Sequence, residues 1–196
     1  MRRKKDRGEG RRAADAHISR GARILRAGGV IAYPNESVYG LGCLPGNEQA
    51  VERVLRLKGR GRSLGLILIA GEWEQFDGWA PELSTAADFA ELRESEGITW
   101  VVPASSDTPE WITGGRGTVA VRRSLHPLAA ALSLALDSPL VSTSCNPHGS
   151  PPARNEAQAR SYFEAEVDWV LPGECGSLGG PSEIRDAATG AVLRPA

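Results

Sequence analysis

Leu140-Val-Ser-Thr-Ser144-Cys-Asn146 is the stretch on which the fold turns. Leu140 to Thr143 reads as a buried strand, and the chain passes directly from it into Ser144, Cys145 and Asn146. Hydroxyls and an amide packed this densely at a strand's C-terminal end make a polar lining, and in open α/β sheets that edge is where ligands bind. Ser, Thr and Asn also form plain turns by bonding to their own backbone, so the same letters fit a turn equally well. Upstream, Pro127 to Leu136 is an Ala/Leu helix, Thr118 to Val121 a short strand, and Ile98 to Val102 a strand ending at Pro103. Pro81 to Arg93 is predicted helical and Leu66 to Ala70 a buried strand. Glu48 to Leu57 places Val51, Val54 and Leu55 on one helical face, and Val30 to Tyr33 is a buried strand stopped by Pro34. His17 to Arg26 is a helix with Ile18, Ala22 and Leu25 together, ended by Gly28-Gly29. Downstream, Val167 to Leu171 and Ala191 to Leu193 are further strands. Strands and helices interleave, which predicts one α/β domain around a twisted sheet. Such short apolar runs suit parallel and antiparallel pairing alike.

With 196 residues the chain fits a single domain, which at this size buries about 70% of the surface its unfolded form exposes. No stretch approaches the roughly 18 apolar residues of a membrane span. The basic N-terminus is not followed by the apolar run of a secretory signal, so the expected setting is the cytoplasm, with no membrane partner. Charge is uneven. Residues 1–15 hold seven basic and three acidic side chains, leaving 16 basic and 21 acidic over residues 16–196. The stretch 1–15 is expected to be a basic flexible tail before a domain spanning 16–196. The sharper alternative is an arm that holds RNA phosphate by releasing counterions. Cys43, Cys145 and Cys175 are too few and too far apart for a disulfide framework or a zinc site, and with three histidines no metal site is expected.

Lys58-Gly-Arg60-Gly-Arg62-Ser-Leu-Gly65 sits between a helix and an apolar strand. Glycines let the backbone approach an anion, while Lys58, Arg60 and Arg62 can neutralise phosphate or carboxylate. A solvated basic turn has the same composition. The spacing fits neither a Walker A loop nor a dinucleotide fingerprint. Arg122 follows an apolar strand and can project from its end, where a guanidinium suits a carboxylate or phosphate; a surface ion pair is the plainer alternative. His126, before Pro127, has no evident partner for a base role. No nucleophile–base arrangement and no metal-like pair of carboxylates emerges from spacing. Chemistry here relies on positioning and charge neutralisation. From the residues alone, the chain is an anion-binding α/β domain.

Taken in order, six segments resemble the YrdC/TsaC family of threonylcarbamoyl-AMP synthases. Ile31-Ala-Tyr-Pro-Asn35-Glu-Ser-Val-Tyr-Gly-Leu-Gly42 is similar to its P-T-E-x-V/T-Y/F-G-L/V-G opening, and Leu57-Lys58-Gly-Arg60 to its L-K-x-R. Gly65 to Ala70 matches G-L-I-L-I-A, and Ala120-Val-Arg122 with His126-Pro127 matches A-V-R…H-P. Pro139 to Asn146 matches P-L-V-S-T-S-A-N, and Pro181 to Asp186 matches P-S-E-I-R-D. The register holds over roughly residues 17–196. The resemblance implies a twisted open mixed sheet with flanking helices and a large concave, positively lined cavity. It implies condensation of L-threonine, bicarbonate and ATP, accompanied by Mg2+, to threonylcarbamoyl-AMP and pyrophosphate. It further implies tRNA, double-stranded RNA and the proteins that transfer the threonylcarbamoyl group to tRNA position 37 as partners.

Carried over residue by residue, Lys58, Arg60, Ser144 and Asn146 form the catalytic set that the resemblance implies. Lys58 and Arg60 are expected to stabilise phosphate charge, and Ser144 and Asn146 to bond the nucleotide or carbamate. Arg122 is expected to pair with the threonine carboxylate or a phosphate, and Ser182 and Arg194 to close the nucleotide side. Asn35, Arg62, Thr99 and Ser142 complete the expected binding set. Three positions and one segment depart from the pattern. Asn35 replaces Thr beside the amino-acid substrate, Leu64 replaces a Lys, Cys145 replaces Ala, and Glu94-Ser-Glu-Gly97 replaces W-P-G-P. Arg62 is the nearest candidate to replace the lost cation, and the two glutamates would oppose an anion if they faced the cavity. These departures leave a second expectation, a catalytically weakened relative acting as an RNA-binding or ribosome-maturation factor.

Overall fold

The computed structural model describes residues 2–85, 92–93 and 97–195. Helix α1 (Arg2–Arg26) opens the chain. The hairpin β1 (Ile31–Pro34) and β2 (Tyr39–Gly42) follows, then α2 (Glu48–Lys58) and β3 (Ile67–Ala70). The short α3 (Glu82–Thr85) leads toward β4 (Thr99–Pro103), α4 (Glu110–Thr113), β5 (Thr118–Arg123), α5 (Pro127–Leu136) and β6 (Leu140–Ser144). The chain closes with α6 (Glu156–Phe163), β7 (Trp169–Val170), β8 (Ile184–Asp186) and β9 (Val192–Arg194).

Among the described residues the strands form one sheet in the order β7-β1-β2-β6-β3-β5-β4-β8-β9. Pairing is mixed: β1–β7, β3–β5 and β4–β8 run parallel, and the other neighbours antiparallel. The sequence leaves that choice open, and the structure resolves it. Both faces are covered. Ile31, Tyr33, Ile69 and Leu140 pack with Leu25 of α1 and Ala129 and Leu132 of α5. Their alternates Ala32, Leu68, Ala70 and Val141 face a larger core with Val51, Val54 and Leu55 of α2. This period-2 alternation with apolar residues on both faces is why the strands read as unbroken hydrophobic runs.

Three differences from the sequence reading have local causes. Helix α1 reaches back to Arg2, so the stretch expected as a flexible tail continues the helix. Charge composition suggested a boundary near residue 16, yet Arg, Lys, Ala and Glu are all good helix formers. Strand β2 was hidden by its glycines, which the sheet requires: a Cβ at Gly42 would lie 2.0 Å from Val141 O, and one at Gly40 3.0 Å from the Tyr33 ring. Helix α6 has few buried apolar positions (Ala159 and Phe163), so periodicity is faint; its start is marked by Asn155, whose side chain accepts from Gln158 N. The helix expected over Pro81 to Arg93 appears as Glu82–Thr85 and again at Leu92 and Arg93; residues 86–91, like Glu94, Ser95 and Glu96, lie outside the described residues.

Candidate functional site

Helix α2 is capped at both ends, and that fixes where its last residues point. Asn47 accepts from Ala50 N at 3.0 Å, and Gly59 ends the helix in the left-handed region at φ 56°. Lys58, the last helical residue, is turned inward and is 8% exposed. Its Nζ donates into the loop after β6: to Ser144 O at 2.6 Å, Ser144 Oγ at 3.2 Å, Asn146 Oδ1 at 2.7 Å and Asn146 O at 2.8 Å. Burial lowers the Lys58 ammonium to about 8, a shift opposed by Cys145 and reinforced by Arg60. Asn146 is saturated in turn, its Nδ2 donating to Ser150 O at 2.7 Å and Pro147 O at 3.1 Å. Cys145 between them is buried, and that burial pushes its thiol up to about 12, so it is not a nucleophile near neutral pH.

Beyond Gly59 the chain reverses, and Arg60 faces a pocket of about 380 Å3. The pocket lies where the β1–β2 turn, the ends of β5 and β6, the segment 179–182 and β9 converge. Its walls carry Asn35, Ser37, Ser142, Thr143, Ser144 and Ser182, four guanidinium groups (Arg60, Arg122, Arg154 and Arg194) and one carboxylate, Glu36. Arg60 Nη2 donates to Gly65 O at 3.0 Å, and Arg194 Nη2 to Ser182 O at 2.7 Å. Burial, then neighbouring guanidinium charge, lowers both groups. Arg122 Nη2 meets Glu36 Oε2 at 3.2 Å, in an ion pair largely withdrawn from solvent. The Nε groups of Arg60 and Arg122 are buried without an internal acceptor. Like-charged groups held this close, with N–H donors to spare, suit a polyanion bearing several oxygens.

Glu36 is the centre of a second network. Its Oε1 accepts from Ser124 Oγ at 2.8 Å and from Leu125 N at 3.0 Å. Ser124 Oγ also lies 3.1 Å from Asn35 Oδ1. With Oε1 fixed by Ser124 and Leu125, the carboxylate offers Oε2 to Arg122 and holds that guanidinium in place.

Of the residues expected from sequence, the structure brings Asn35, Arg60, Arg122, Ser142, Ser144, Ser182 and Arg194 to this pocket. Lys58 and Asn146 lie beneath Ser144, behind the wall. Thr99 is fully buried and sits behind Ser182, with the two hydroxyl oxygens 2.7 Å apart. Arg62 is not brought in: it is exposed and pairs with Glu48 at 2.9 Å and with Glu52, both on α2. Leu64 is 58% exposed and outside the lining. Sequence reasoning missed Glu36, Ser124 and Arg154. Glu36 stands inside the opening segment from Ile31 to Gly42, whereas Arg154 is an isolated cation in a Pro/Ala stretch and carries no signal. Among the described residues no three His, Cys, Asp or Glu side chains gather as a metal site, and no helix is long and apolar enough to cross a membrane.

The comparisons agree with this architecture. The pattern of the Sua5/YciO/YrdC family, described as "Telomere recombination", matches residues 23–196. A curated relative from Nitrosococcus oceani, named threonylcarbamoyl-AMP synthase, is 48% identical over 174 residues, covering 88% of this chain and 94% of its own. One of the same name from Halorhodospira halophila is 48% identical over 180 residues, covering 90% and 93%. Among solved structures, P. abyssi Sua5 complexed with L-threonine superposes with a TM-score of 0.82 at 31% identity, over 91% of this chain. This chain spans about half, 53%, of that protein's length. E. coli YciO superposes with a TM-score of 0.77 at 26% identity, over 90% of this chain and 87% of its own. With the family pattern covering all but the first 22 residues, the chain belongs to the Sua5/YciO/YrdC family.

Proposed function

We infer that this protein is a threonylcarbamoyl-AMP synthase, condensing L-threonine, bicarbonate and ATP to threonylcarbamoyl-AMP and pyrophosphate. The observation that carries the reading is the composition of one pocket wall: four guanidinium groups and a row of hydroxyls around a single buried carboxylate. That wall is suited to a triphosphate and an amino acid together. The name that the N. oceani and H. halophila relatives share points the same way and lends nothing to the weakened RNA-binding alternative.

The reaction needs two bonds to form. The threonine amine attacks the bicarbonate carbon, and water leaves to give a carbamate. A carbamate oxygen then attacks the α-phosphorus of ATP, and the bond from that phosphorus to the pyrophosphate oxygen breaks. Neither step requires a protein nucleophile. Both require charge held in place, which is positioning and electrostatic stabilisation. Arg60, Arg194 and Arg154 take the phosphate charge as pyrophosphate departs, and Arg122 takes the threonine carboxylate. Ser142, Ser144 and Ser182 give hydroxyl contacts to the nucleotide and carbamate. Lys58 and Asn146 act through the loop that carries Ser144, and Thr99 through Ser182. Magnesium enters as part of the MgATP substrate and needs no cage of protein carboxylates.

The product is an activated, hydrolysable acyl adenylate, so a transferring partner and its tRNA must follow it; both, with a cytoplasmic setting, belong to this reading. Direct binding of double-stranded RNA through the basic stretch 1–15 is a separate part of it. Purified protein incubated with ATP, bicarbonate and radiolabelled threonine, with serine as control, tests the central statement. Threonine-dependent adenylate with stoichiometric pyrophosphate is expected. A folded sample that releases no pyrophosphate on threonine addition overturns it.

A further inference from the structure

The hydroxyl of Ser124 has three polar neighbours: Glu36 Oε1 at 2.8 Å, Asn35 Oδ1 at 3.1 Å and the His126 backbone nitrogen at 3.3 Å. Ser124 is 2% exposed and outside the pocket lining, so solvent does not serve its hydroxyl, whereas Asn35 and Glu36, at 5% and 8%, border the pocket. A hydroxyl has one hydrogen and two acceptor lone pairs. The His126 N–H uses one lone pair. The single hydrogen cannot serve both the Glu36 carboxylate and the Asn35 carbonyl. The charged acceptor at the shorter distance claims it. Asn35 would then set its carbonyl oxygen against an oxygen with no proton left to give. Reversing the amide closes the count: Nδ2 donates to the remaining lone pair of Ser124, and Oδ1 turns toward the pocket that Asn35 lines. The two ends of an amide have the same shape, so hydrogen-bond partners decide which is which.

We propose that Asn35 presents its carbonyl oxygen to the pocket, locked by Ser124 and Glu36, and accepts a hydrogen bond from the amine or hydroxyl of the amino-acid substrate. This deepens the function inferred above and rests on it for the identity of the ligand. One carboxylate then organises both halves of amino-acid recognition. Glu36 Oε2 holds Arg122, the cation for the substrate carboxylate, at 3.2 Å, and Glu36 Oε1 orients Asn35 through Ser124. An α-amino acid carries an acceptor carboxylate and a donor amine on one carbon, and Arg122 with Asn35 presents the complementary donor and acceptor. Serine and threonine hydroxyls donate or accept; the amide locked in this way only accepts.

Neutron diffraction from deuterium-exchanged protein reads the amide without any assay. Deuterium density on the Asn35 nitrogen directed at Ser124, with the Ser124 deuterium directed at Glu36, is the expected result. Amide deuterium facing the pocket overturns the proposal, even in a protein that makes the adenylate. In kinetics, Asn35→Leu keeps the branching of the side chain and removes the acceptor. The KM for threonine should rise about tenfold, while the KM for ATP stays within about twofold. Comparison with 2-aminobutyrate, which lacks the hydroxyl, identifies the donor. A loss confined to threonine assigns the hydroxyl, and an equal loss for both assigns the amine. Unchanged KM for both overturns the proposal. If wild-type protein makes no adenylate at all, the functional reading fails while the diffraction result still decides the amide.

Discussion

The floor beneath Ser144 and the rim above it are both cationic, yet they spend their charge differently. On the floor, the Lys58 ammonium faces four oxygens within 3.2 Å and has three hydrogens to give. On the rim, Arg122 has one carboxylate oxygen, Arg194 one carbonyl, and Arg154 makes no ion pair among the described residues. Saturated donors build a loop; unsaturated ones remain for a ligand. Geometry thus divides the motif into Lys58 and Asn146, hydrogen-bonded to the loop, and Arg60 and Ser144, which line the pocket; in the function proposed above the first pair positions and the second contacts substrate.

The largest effect that tests this division is expected from Lys58→Ala. Leaving buried carbonyl and amide oxygens unpaired should cost about 3 kcal/mol of stability, a fall in Tm of roughly 6–12 °C for a chain of this size. Adenylate formation should drop about a hundredfold as the Ser144 loop loses its anchor. Arg60→Ala should lower kcat/KM about 10- to 100-fold, the worth of one or two charge-assisted bonds, with little change in Tm. Equal thermal losses in the two variants would erase the distinction between floor and rim. A pH series sharpens it. Because burial lowers Lys58 to about 8, the neutral amine, with two hydrogens for four oxygens, takes over as pH climbs past that value, and activity should fall. Stability has the opposite sign. From about 8 up to the ordinary lysine value of 10.5 the unfolded chain binds more protons than the folded one, so this group's contribution to stability rises with pH. Activity and Tm moving together across that window would remove Lys58 as the cause. Leu64→Lys should leave the ATP KM within about twofold, since the exposed residue lies outside the pocket lining. Arg62→Ala should change least, leaving Tm and kcat/KM unmoved, as expected for an exposed ion pair outside the pocket lining.

Much of the fold was legible because both faces of the sheet are covered. Ile31-Ala-Tyr33, Leu68-Ile-Ala70 and Leu140-Val141 are apolar without interruption, so they were readable as strands, though not as parallel or antiparallel ones. Strand β2 was not legible: Gly40 and Gly42 serve the Tyr33 ring and Val141 O, contacts made across strands and invisible in local composition. Of the residues that the resemblance names, Arg60, Arg122, Ser142, Ser144, Ser182 and Arg194 line one pocket. Depth was not legible. Nothing in Lys58-Gly-Arg60 says that one cation is buried in hydrogen bonds and the other faces outward. Glu36 and Ser124 stand 88 positions apart, and their pairing exists only after β1 and β5 have been placed in one sheet.

Gly59 has a consequence for anyone who would transplant this site. With φ at 56°, it is the one residue between two charges that must look in different directions. A side chain there would have room, its nearest neighbour being His148 Cβ at 3.6 Å, but would carry the torsional penalty of the left-handed region, about 1 kcal/mol. Relaxing that penalty by rotating back to right-handed helix would extend α2 and swing Arg60 around its axis by about 100° per added residue. A graft that preserved both cations while replacing the glycine would thus keep the letters and lose the aim.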